Sequence, residues 1–250
     1  MIYKLAWRNI WRNKKRTVIT LMSIAFAVLL SCIMRSMQLG SYERMIDNTV
    51  GKYAGYIQIH KEGYWEDKSI DNAMNINDSL INFISAQDGV NQVVPRIESF
   101  ALASFGSISK GVLVTGVDPQ SEKDMSMLDE KLIQGAYLKE DDQNCLLSEG
   151  LARRLKADIG DTIVFIGQGY HGVTAAGLYP VKGIVKFPIP ALNDQSVYIP
   201  LKAAQWFYGA DNLVTSLCID IDHVDNTMLV TRQLQKQLNN EKYEVMDWRT

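Results

Sequence analysis

The chain has 250 residues, 47% of them hydrophobic and 22% charged, the composition of an ordinary globular protein with room for one large or two small domains. Three cysteines (Cys32, Cys145 and Cys218) exclude a disulfide framework. The formal net charge of −2 conceals an asymmetry, because six of the 26 basic residues and none of the 28 acidic ones lie in the first 16, leaving the remainder at −8. A basic head on an acidic body calls for a membrane or a nucleic acid as partner of the head.

The first element is a short amphipathic segment, residues 1–16. Tyr3, Trp7, Ile10 and Trp11 are spaced to share one helical face, and Lys4, Arg8 and Arg12 repeat every four residues on a neighbouring one. Such a helix lies along a membrane surface, with rings in the headgroup layer and Arg8, Arg12, Lys14, Lys15 and Arg16 toward anionic lipid.

Thr17 to Met34 then form an uncharged run of 18 residues, broken only by Thr17, Thr20, Ser23 and Ser31. As a helix this is roughly 27 Å long, close to the hydrocarbon thickness of a bilayer. It lacks the polar stripe of a soluble core helix and outlasts the apolar core of a signal peptide, and no small-x-small cleavage site follows. Residues 17–39 therefore read as an uncleaved transmembrane helix, in which Ser23, Ser31 and Met34 are candidates for packing against neighbouring helices. Because the span abuts the basic cluster, a lipid bilayer rather than a nucleic acid is its expected partner. Six cations before the span put the N-terminus in the cytoplasm, and the body from about residue 40 onward outside it.

Residues 41–50 can extend the helix as a stalk. A β-α-β pattern follows: alternation over 56–60, a helix carrying Leu80, Ile81 and Ile84 with Asp78 and Ser79 as caps, and a strand over 90–100. It returns near the C-terminus. There Leu217, Ile219 and Ile221 alternate with Ser216, Cys218 and Asp220, Asn226 caps a helix bearing Val230, Leu234 and Leu238, and a strand spans 243–248. Between them, strands are expected over 111–117, 161–166, 179–187 and 196–199, with one compact helix over 149–157 stopped near Gly160. Glycines concentrate between Gly106 and Gly183, as in a turn-rich insert. The expected class is α+β. One transmembrane helix precedes an extracytoplasmic domain of β-α-β repeats over 40–104 and 206–250, with a β-rich subdomain inserted at 105–205.

No motif supplies chemistry of its own. Gly167-Gln168-Gly169-Tyr170-His171-Gly172 spells G-x-G-x-x-G after a strand, but the following residues are too short and too punctuated to open the helix a dinucleotide needs. It reads as a hairpin loop. There is no P-loop, so ATP chemistry would belong to a partner. His60, His171 and His223 are not in zinc spacing. Asp220, Asp222, His223 and Asp225 sit where capping and solvation account for them, and Asp141-Asp142 reads as a solvated turn. Cys145 and Cys218 read as buried free thiols, with a Cys145–Cys218 bridge as the alternative for an extracytoplasmic body. No cofactor, metal or catalytic constellation is expected, so the chain is not read as an enzyme.

The stretch Leu5-Ala6-Trp7-Arg8-Asn9-Ile10-Trp11-Arg12-Asn13-Lys14-Lys15-Arg16-Thr17 resembles the approach to the first membrane helix of MacB/FtsX-type permeases of ABC transporters. The body continues the resemblance in order and spacing, with Val94-Pro95-Arg96-Ile97, Gly116-Val117-Asp118-Pro119, Leu146-Leu147-Ser148-Glu149-Gly150-Leu151, Gly160-Asp161-Thr162 and Val197-Tyr198-Ile199-Pro200-Leu201. The resemblance implies a periplasmic core of two subdomains on a bacterial inner-membrane protein, with further membrane helices beyond residue 250. It also implies a separate cytoplasmic ABC ATPase, and a second permease copy or sister subunit. The cargo would be a lipoprotein or peptide. With no ATPase domain before the span, the lipoprotein-releasing (LolC/LolE-like) branch is the better match. The alternative is a self-contained, single-pass binding or sensing module without an ATPase. A membrane-anchored hydrolase comes third, since no nucleophile arrangement is visible.

Overall fold

The computed structural model describes residues 4, 7–8, 11–46, 53–238 and 242–249. The chain divides into two compact units, Met1–Asn48 and Thr49–Thr250.

The first unit is built on helix α1, Lys14–Ile46. It is the one helix among the described residues that is long and apolar enough to cross a membrane. Its hydroxyls do not interrupt it. Thr20 Oγ1 donates to the Arg16 carbonyl at 3.0 Å and Ser23 Oγ to the Ile19 carbonyl at 2.9 Å, so each is satisfied within the helix and can face an apolar medium.

The second unit runs through β1 (Ile57–Lys61), β2 (Met74–Asn75), α2 (Asp78–Ser85), β3 (Val90–Phe105), β4 (Ile108–Val117), α3 (Pro119–Ser126), β5 (Leu132–Gly135), β6 (Cys145–Ser148) and α4 (Glu149–Leu155). It continues through β7 (Thr162–Gln168), β8 (Thr174–Val185), α5 (Pro190–Gln195), β9 (Ser196–Pro200), α6 (Leu201–Tyr208), β10 (Leu213–Val214), β11 (Ser216–Ile221), α7 (Thr227–Gln237) and β12 (Tyr243–Asp247).

Two architectures share strand β3. The first half of β3 closes an antiparallel sheet of order β12-β1-β11-β3. Helix α2 joins β1 to β3 and α7 joins β11 to β12, which is the β-α-β-β-α-β arrangement of ferredoxin-like folds, cut open between β3 and β11. Ile57, Ile59, Leu217, Ile219 and Val93 share one buried face of this sheet by register. The second half of β3 enters a ring of pairings, β3-β4-β9-β6-β8-β7 and back to β3, which closes a six-stranded barrel with β5 added outside β8. Its core is filled from inside by Ala103, Val114, Leu147, Phe165 and Tyr179. The expected class, an N-terminal apolar helix before an α+β domain with a β-rich insert, is borne out.

Several local expectations change. Helix α2 is capped by Asn77, whose side chain accepts from the Leu80 amide, rather than by Asp78 or Ser79. Asn226 stands at the start of α7 but makes no side-chain capping bond. Helix α4 stops at Lys156, which takes the left-handed conformation at φ 60°, before Gly160 is reached. The alternation in β11 does not mark a solvent face, because Ser216 and Cys218 are as buried as Leu217 and Ile219. Cys218 packs instead with Val94 and with Met125 of α3, which covers the second face of the sheet.

Candidate functional site: the basic anchor and a buried arginine joint

In the first unit, Trp7 and Trp11 are exposed, with ring centroids 6.3 Å apart, and Lys14 Nζ lies 5.5 Å from the Trp11 ring. Arg8, Arg12, Lys15 and Arg16 are exposed as well. The residues leading into α1 thus carry a cluster of cations around two exposed indoles. Tyr3 and Ile10, assigned to the same face, lie outside the described residues. Ser23, Ser31 and Met34 are all exposed along α1, Ser31 and Met34 three residues apart on one side. Of the stalk expected over 41–50, helix extends to Ile46, and the remainder lies outside the described residues.

In the second unit, the interior holds a charge that sequence reasoning did not assign a role. Arg96 sits on β3 where the strand passes from β11 to β4, opposite Ser216 on one side and Val117 on the other. Its side chain is 2% exposed. Nε donates to Glu122 Oε2 at 2.9 Å and Nη2 to Oε1 at 2.8 Å, a two-pronged pair with a carboxylate that is itself 1% exposed. Nη1 donates to the Tyr53 carbonyl at 2.5 Å, and the guanidinium lies 5.7 Å from the Tyr53 ring centroid. Glu98 adds a second carboxylate 4.0 Å away.

Each member is positioned by its element. Glu122 lies on α3, whose start is fixed by Pro119 in the first turn and by Asp118, which accepts from the Ser121 amide at 2.8 Å. Tyr53 packs edge-on against Phe187, which stacks on Tyr198 of β9. Thr215 closes the corner: its hydroxyl accepts from the Glu98 amide at 2.8 Å, and its own amide donates to the Arg96 carbonyl at 2.9 Å. Burial works most strongly against the Arg96 charge, but Glu122, Cys218 and Glu98 together more than offset it and hold the guanidinium well above its ordinary range. Burial pushes the Glu98 carboxyl up, with Arg96 opposing, and burial moves the Tyr53 phenol to about 12. The arrangement joins β3, α3 and the first described residue of this unit through one dry cation.

The other sequence candidates resolve as follows. The G-x-G-x-x-G stretch is the β7–β8 hairpin, with Gly167 opposite Ala175 and the Gly169 amide returning to the Val173 carbonyl at 2.6 Å. Among the described residues, no group of three or more His, Cys, Asp or Glu could hold a metal ion, and Asp220 is instead hydrogen-bonded by Asn91 at 3.3 Å. Asp141 is solvated at 92% exposure, but Asp142 is not: it pairs with Lys182 and accepts from the Lys139 amide at 2.7 Å. Cys145 and Cys218 are free, buried and in separate clusters, as the unbridged reading expected. What could have found the joint is Arg96 itself, a lone cation in the apolar strand sequence Val93-Val94-Pro95-Arg96-Ile97.

Comparison with known proteins matches this architecture. The lipoprotein-releasing system transmembrane protein LolC of Xylella fastidiosa (strain 9a5c) is 28% identical over 162 residues, 62% of this chain and 38% of that protein, so the match spans well under half of the relative's length. The periplasmic region of MacB from Actinobacillus actinomycetemcomitans has the same fold at a TM-score of 0.53 and 17% identity, over 81% of this chain and 94% of that one. So does the extracellular domain of the noncanonic ABC-type transporter YknZ from Gram-positive bacteria, at 0.52 and 15%, over 76% of this chain and 99% of that one. The profile of the MacB-like periplasmic core domain matches residues 17–237, through the apolar helix and the sheet-plus-barrel unit alike, and the chain belongs to the MacB-like periplasmic core domain family.

Proposed function

We propose that this chain is the membrane anchor and periplasmic arm of an ABC-transporter permease subunit, in which a separate cytoplasmic ATPase drives movement of the arm for lipoprotein release or export. The observation that carries the reading is the continuity of the family match, from residue 17 in the apolar helix to residue 237 in α7. Residues 1–16 lie on the cytoplasmic face, 17–39 span the inner membrane, and the remainder is periplasmic. Within the periplasmic part, residues 40–104 and 206–250 form one subdomain and 105–205 the other.

In this reading Trp7 and Trp11 set the depth of α1, and Arg8, Arg12, Lys14, Lys15 and Arg16 hold its end in the cytoplasm. Ser23, Ser31 and Met34 face neighbouring membrane helices. ATP binding in the partner displaces α1, and the displacement reaches the periplasmic unit as a hinge or shear movement. The Arg96 joint supports this role, because a chain segment pulled from the membrane side needs a rigid root. Tyr53 is tied to β3 and α3 by the buried guanidinium. The chain itself does no catalysis and takes no cofactor. Its companions are the ATPase, a second permease copy or sister subunit, the bilayer and a lipoprotein or peptide cargo.

The test is purification of the native gene product, tagged at its N-terminus, from its own host in mild detergent. A stoichiometric P-loop ATPase among its companions is the expected result. A product that carries no ATPase overturns the reading and leaves an anchored extracytoplasmic receptor.

A further inference from the structure

Beside the arginine joint, another side chain reaches the root of the second unit. Arg96 holds the Tyr53 carbonyl, and Gln58 of β1 holds the next one, its Nε2 donating to the Ala54 carbonyl at 2.9 Å. The other end of the same amide meets His60, two residues on and on the same face of β1, with Gln58 Oε1 3.0 Å from His60 Nε2. The far nitrogen of that ring, Nδ1, lies 2.8 Å from the Thr215 carbonyl. Ala54, Gln58, His60 and Thr215 thus form a chain of three short contacts with a carbonyl at each end.

With a neutral ring, this chain of contacts is one hydrogen short. A carbonyl only accepts, a carboxamide donates from one end only, and a neutral imidazole carries one N–H and one lone pair. With the hydrogen on Nδ1, the Thr215 contact is made and Nε2 becomes an acceptor. Gln58 must then turn its NH2 to the ring and its oxygen toward the Ala54 carbonyl. With the hydrogen on Nε2, the Gln58 and Ala54 contacts are made, and Nδ1 faces the Thr215 carbonyl with a lone pair. Either way two acceptors meet, and reversing the amide only moves the conflict. The imidazolium, with a hydrogen on each nitrogen, satisfies all three contacts at once. In the neutral chain the contact that yields is the one at Ala54. It is only partly buried, so water can replace Gln58 there, whereas the Thr215 contact is buried.

We infer that His60 and Gln58 form a proton-operated latch on the root of the second unit. The imidazolium lets Gln58 hold the Ala54 carbonyl, and the neutral ring draws the Gln58 amide onto Nε2 and releases it. The Arg96 tie beside it is permanent, because a guanidinium paired with Glu122 keeps its proton, so acid adds a second tie to the first. The groups around the ring leave the switching proton to His60. Tyr64 stacks on it at 4.7 Å and Cys218 stands opposite Gln58 on β11; burial moves the phenol to about 12 and the thiol to about 11, so both stay neutral in acid. Trp65 lies 5.6 Å away, and Lys68 is the cation that opposes charge on the ring. Glu244, the partner of His60 on β12, and Glu98, whose amide donates to the Thr215 hydroxyl, have carboxyls raised chiefly by burial. They titrate in acid too, so the midpoint has to be read on the imidazole itself. Burial lowers that ring's pKa to about 4, which leaves the latch open at neutral pH and closes it in acid. The inference goes beyond the permease reading and stands without it, because it concerns the second unit alone.

The experiment is nuclear magnetic resonance on the full chain in mild detergent, from neutral pH down through the His60 midpoint. Isotope labels go on the histidine ring nitrogens, the alanine carbonyl carbons and the glycine amide nitrogens. Carbonyl–amide coupling then picks out the Ala-Gly pairs, Ala54-Gly55 and, in the barrel, Ala176-Gly177. The Ala54 carbonyl resonance is expected to shift with the same midpoint as the His60 ring, while Ala176 stays flat. Gln58→Met keeps the length of the side chain and removes its hydrogen bonds. In that variant the Ala54 response is expected to vanish, and the His60 midpoint to fall by about one pH unit, tenfold in proton affinity, because the imidazolium loses its acceptor at Nε2. An Ala54 signal that stays flat while His60 titrates overturns the proposal, and so does one that still follows His60 in Gln58→Met. A His60 ring that remains neutral until the chain unfolds overturns it as well. The first and last of these results need only the parent chain, so the proposal can fail even where Gln58→Met does not fold. None of these results bears on co-purification of an ATPase, so the two readings fail separately.

Discussion

Arg96 and Glu122 meet side-on through two parallel hydrogen bonds, 2.9 and 2.8 Å long, with both side chains withdrawn from solvent. Such a pair is asymmetric in its response to mutation. Glu122→Ala leaves a buried guanidinium beside Glu98 alone, at a cost of roughly 3–5 kcal/mol, whereas replacing both partners by apolar residues costs far less. Arg96→Lys is expected to behave like a deletion, because an ammonium cannot serve two carboxylate oxygens and the Tyr53 carbonyl in the same plane. Urea unfolding of the four chains (parent, two singles, double) checks this. A Glu122→Ala chain as stable as the parent would show the pair to be solvated.

A second buried group predicts a pH dependence. His60 is 2% exposed, stacks on Tyr64 at 4.7 Å and donates from Nδ1 to the Thr215 carbonyl at 2.8 Å. Burial lowers its pKa from 6.5 to about 4, with the Thr215 contact opposing and nearby Lys68 assisting. Between those values the unfolded chain binds the proton and the folded chain does not. Stability from this group is therefore complete above 6.5 and falls as the pH drops toward 4, by up to roughly 3 kcal/mol. Denaturation midpoints measured across that window should slope downward with acid, and His60→Gln should flatten the slope even where it lowers the whole curve.

How much of this was legible in the sequence depends on the kind of signal. The membrane span was, since an uncharged run of 18 residues between cations has few other uses. So was the hairpin over Gly167–Gly172, because the residues after it cannot form a helix. The two β-α-β units were legible by period. The four-residue strand β6 was not. Every one of its residues is buried, so it shows no alternation, and a helix follows it without a loop. Helix α3 was hidden behind its polar composition: it buries Glu122 and Ser126 alongside Met125. Lys156 could not be foreseen as a helix stop, because a left-handed lysine is set by its surroundings rather than by its own preference. The Arg96 joint lies across long sequence separations, Tyr53 to Arg96 to Glu122, and only the folded chain brings these together.

Gly116 marks a contact with no room to spare. A Cβ at this position would lie 2.2 Å from the Ala204 Cβ of α6 and 2.5 Å from Ile97 Cγ2. Helix α6 thus rests directly on the backbone of β4. Gly116→Ala is expected to destabilise the barrel by roughly 1–3 kcal/mol through overpacking. Adding Ala204→Gly should return part of that loss, since it vacates the nearer clash. The double-mutant cycle measures the coupling, and strictly additive effects would place α6 elsewhere.

The cysteines offer a direct check on the packing of the two architectures. Cys145 is buried in the barrel core and Cys218 under α3, and burial pushes both thiols up, Cys218 to about 11. A thiol so held is scarcely ionised at neutral pH and is shielded from reagents, so neither should react with a maleimide in the native chain. In a Cys32→Ser background, unfolding in denaturant without reductant should expose both, giving two labels per chain by intact mass. The two sites should also appear at different denaturant concentrations if the barrel and the open sheet melt separately, and together if the shared strand β3 couples them. Because the Arg96 joint sits on that strand, Glu122→Ala is expected to advance the labelling of Cys218 more than that of Cys145. Cys218 lies beside Val94 and Met125 at the joint, while Cys145 contacts the Tyr179 carbonyl deep in the barrel. Zero labels after unfolding would mean a disulfide, and would require Cys145 and Cys218 to leave the separate clusters in which they lie.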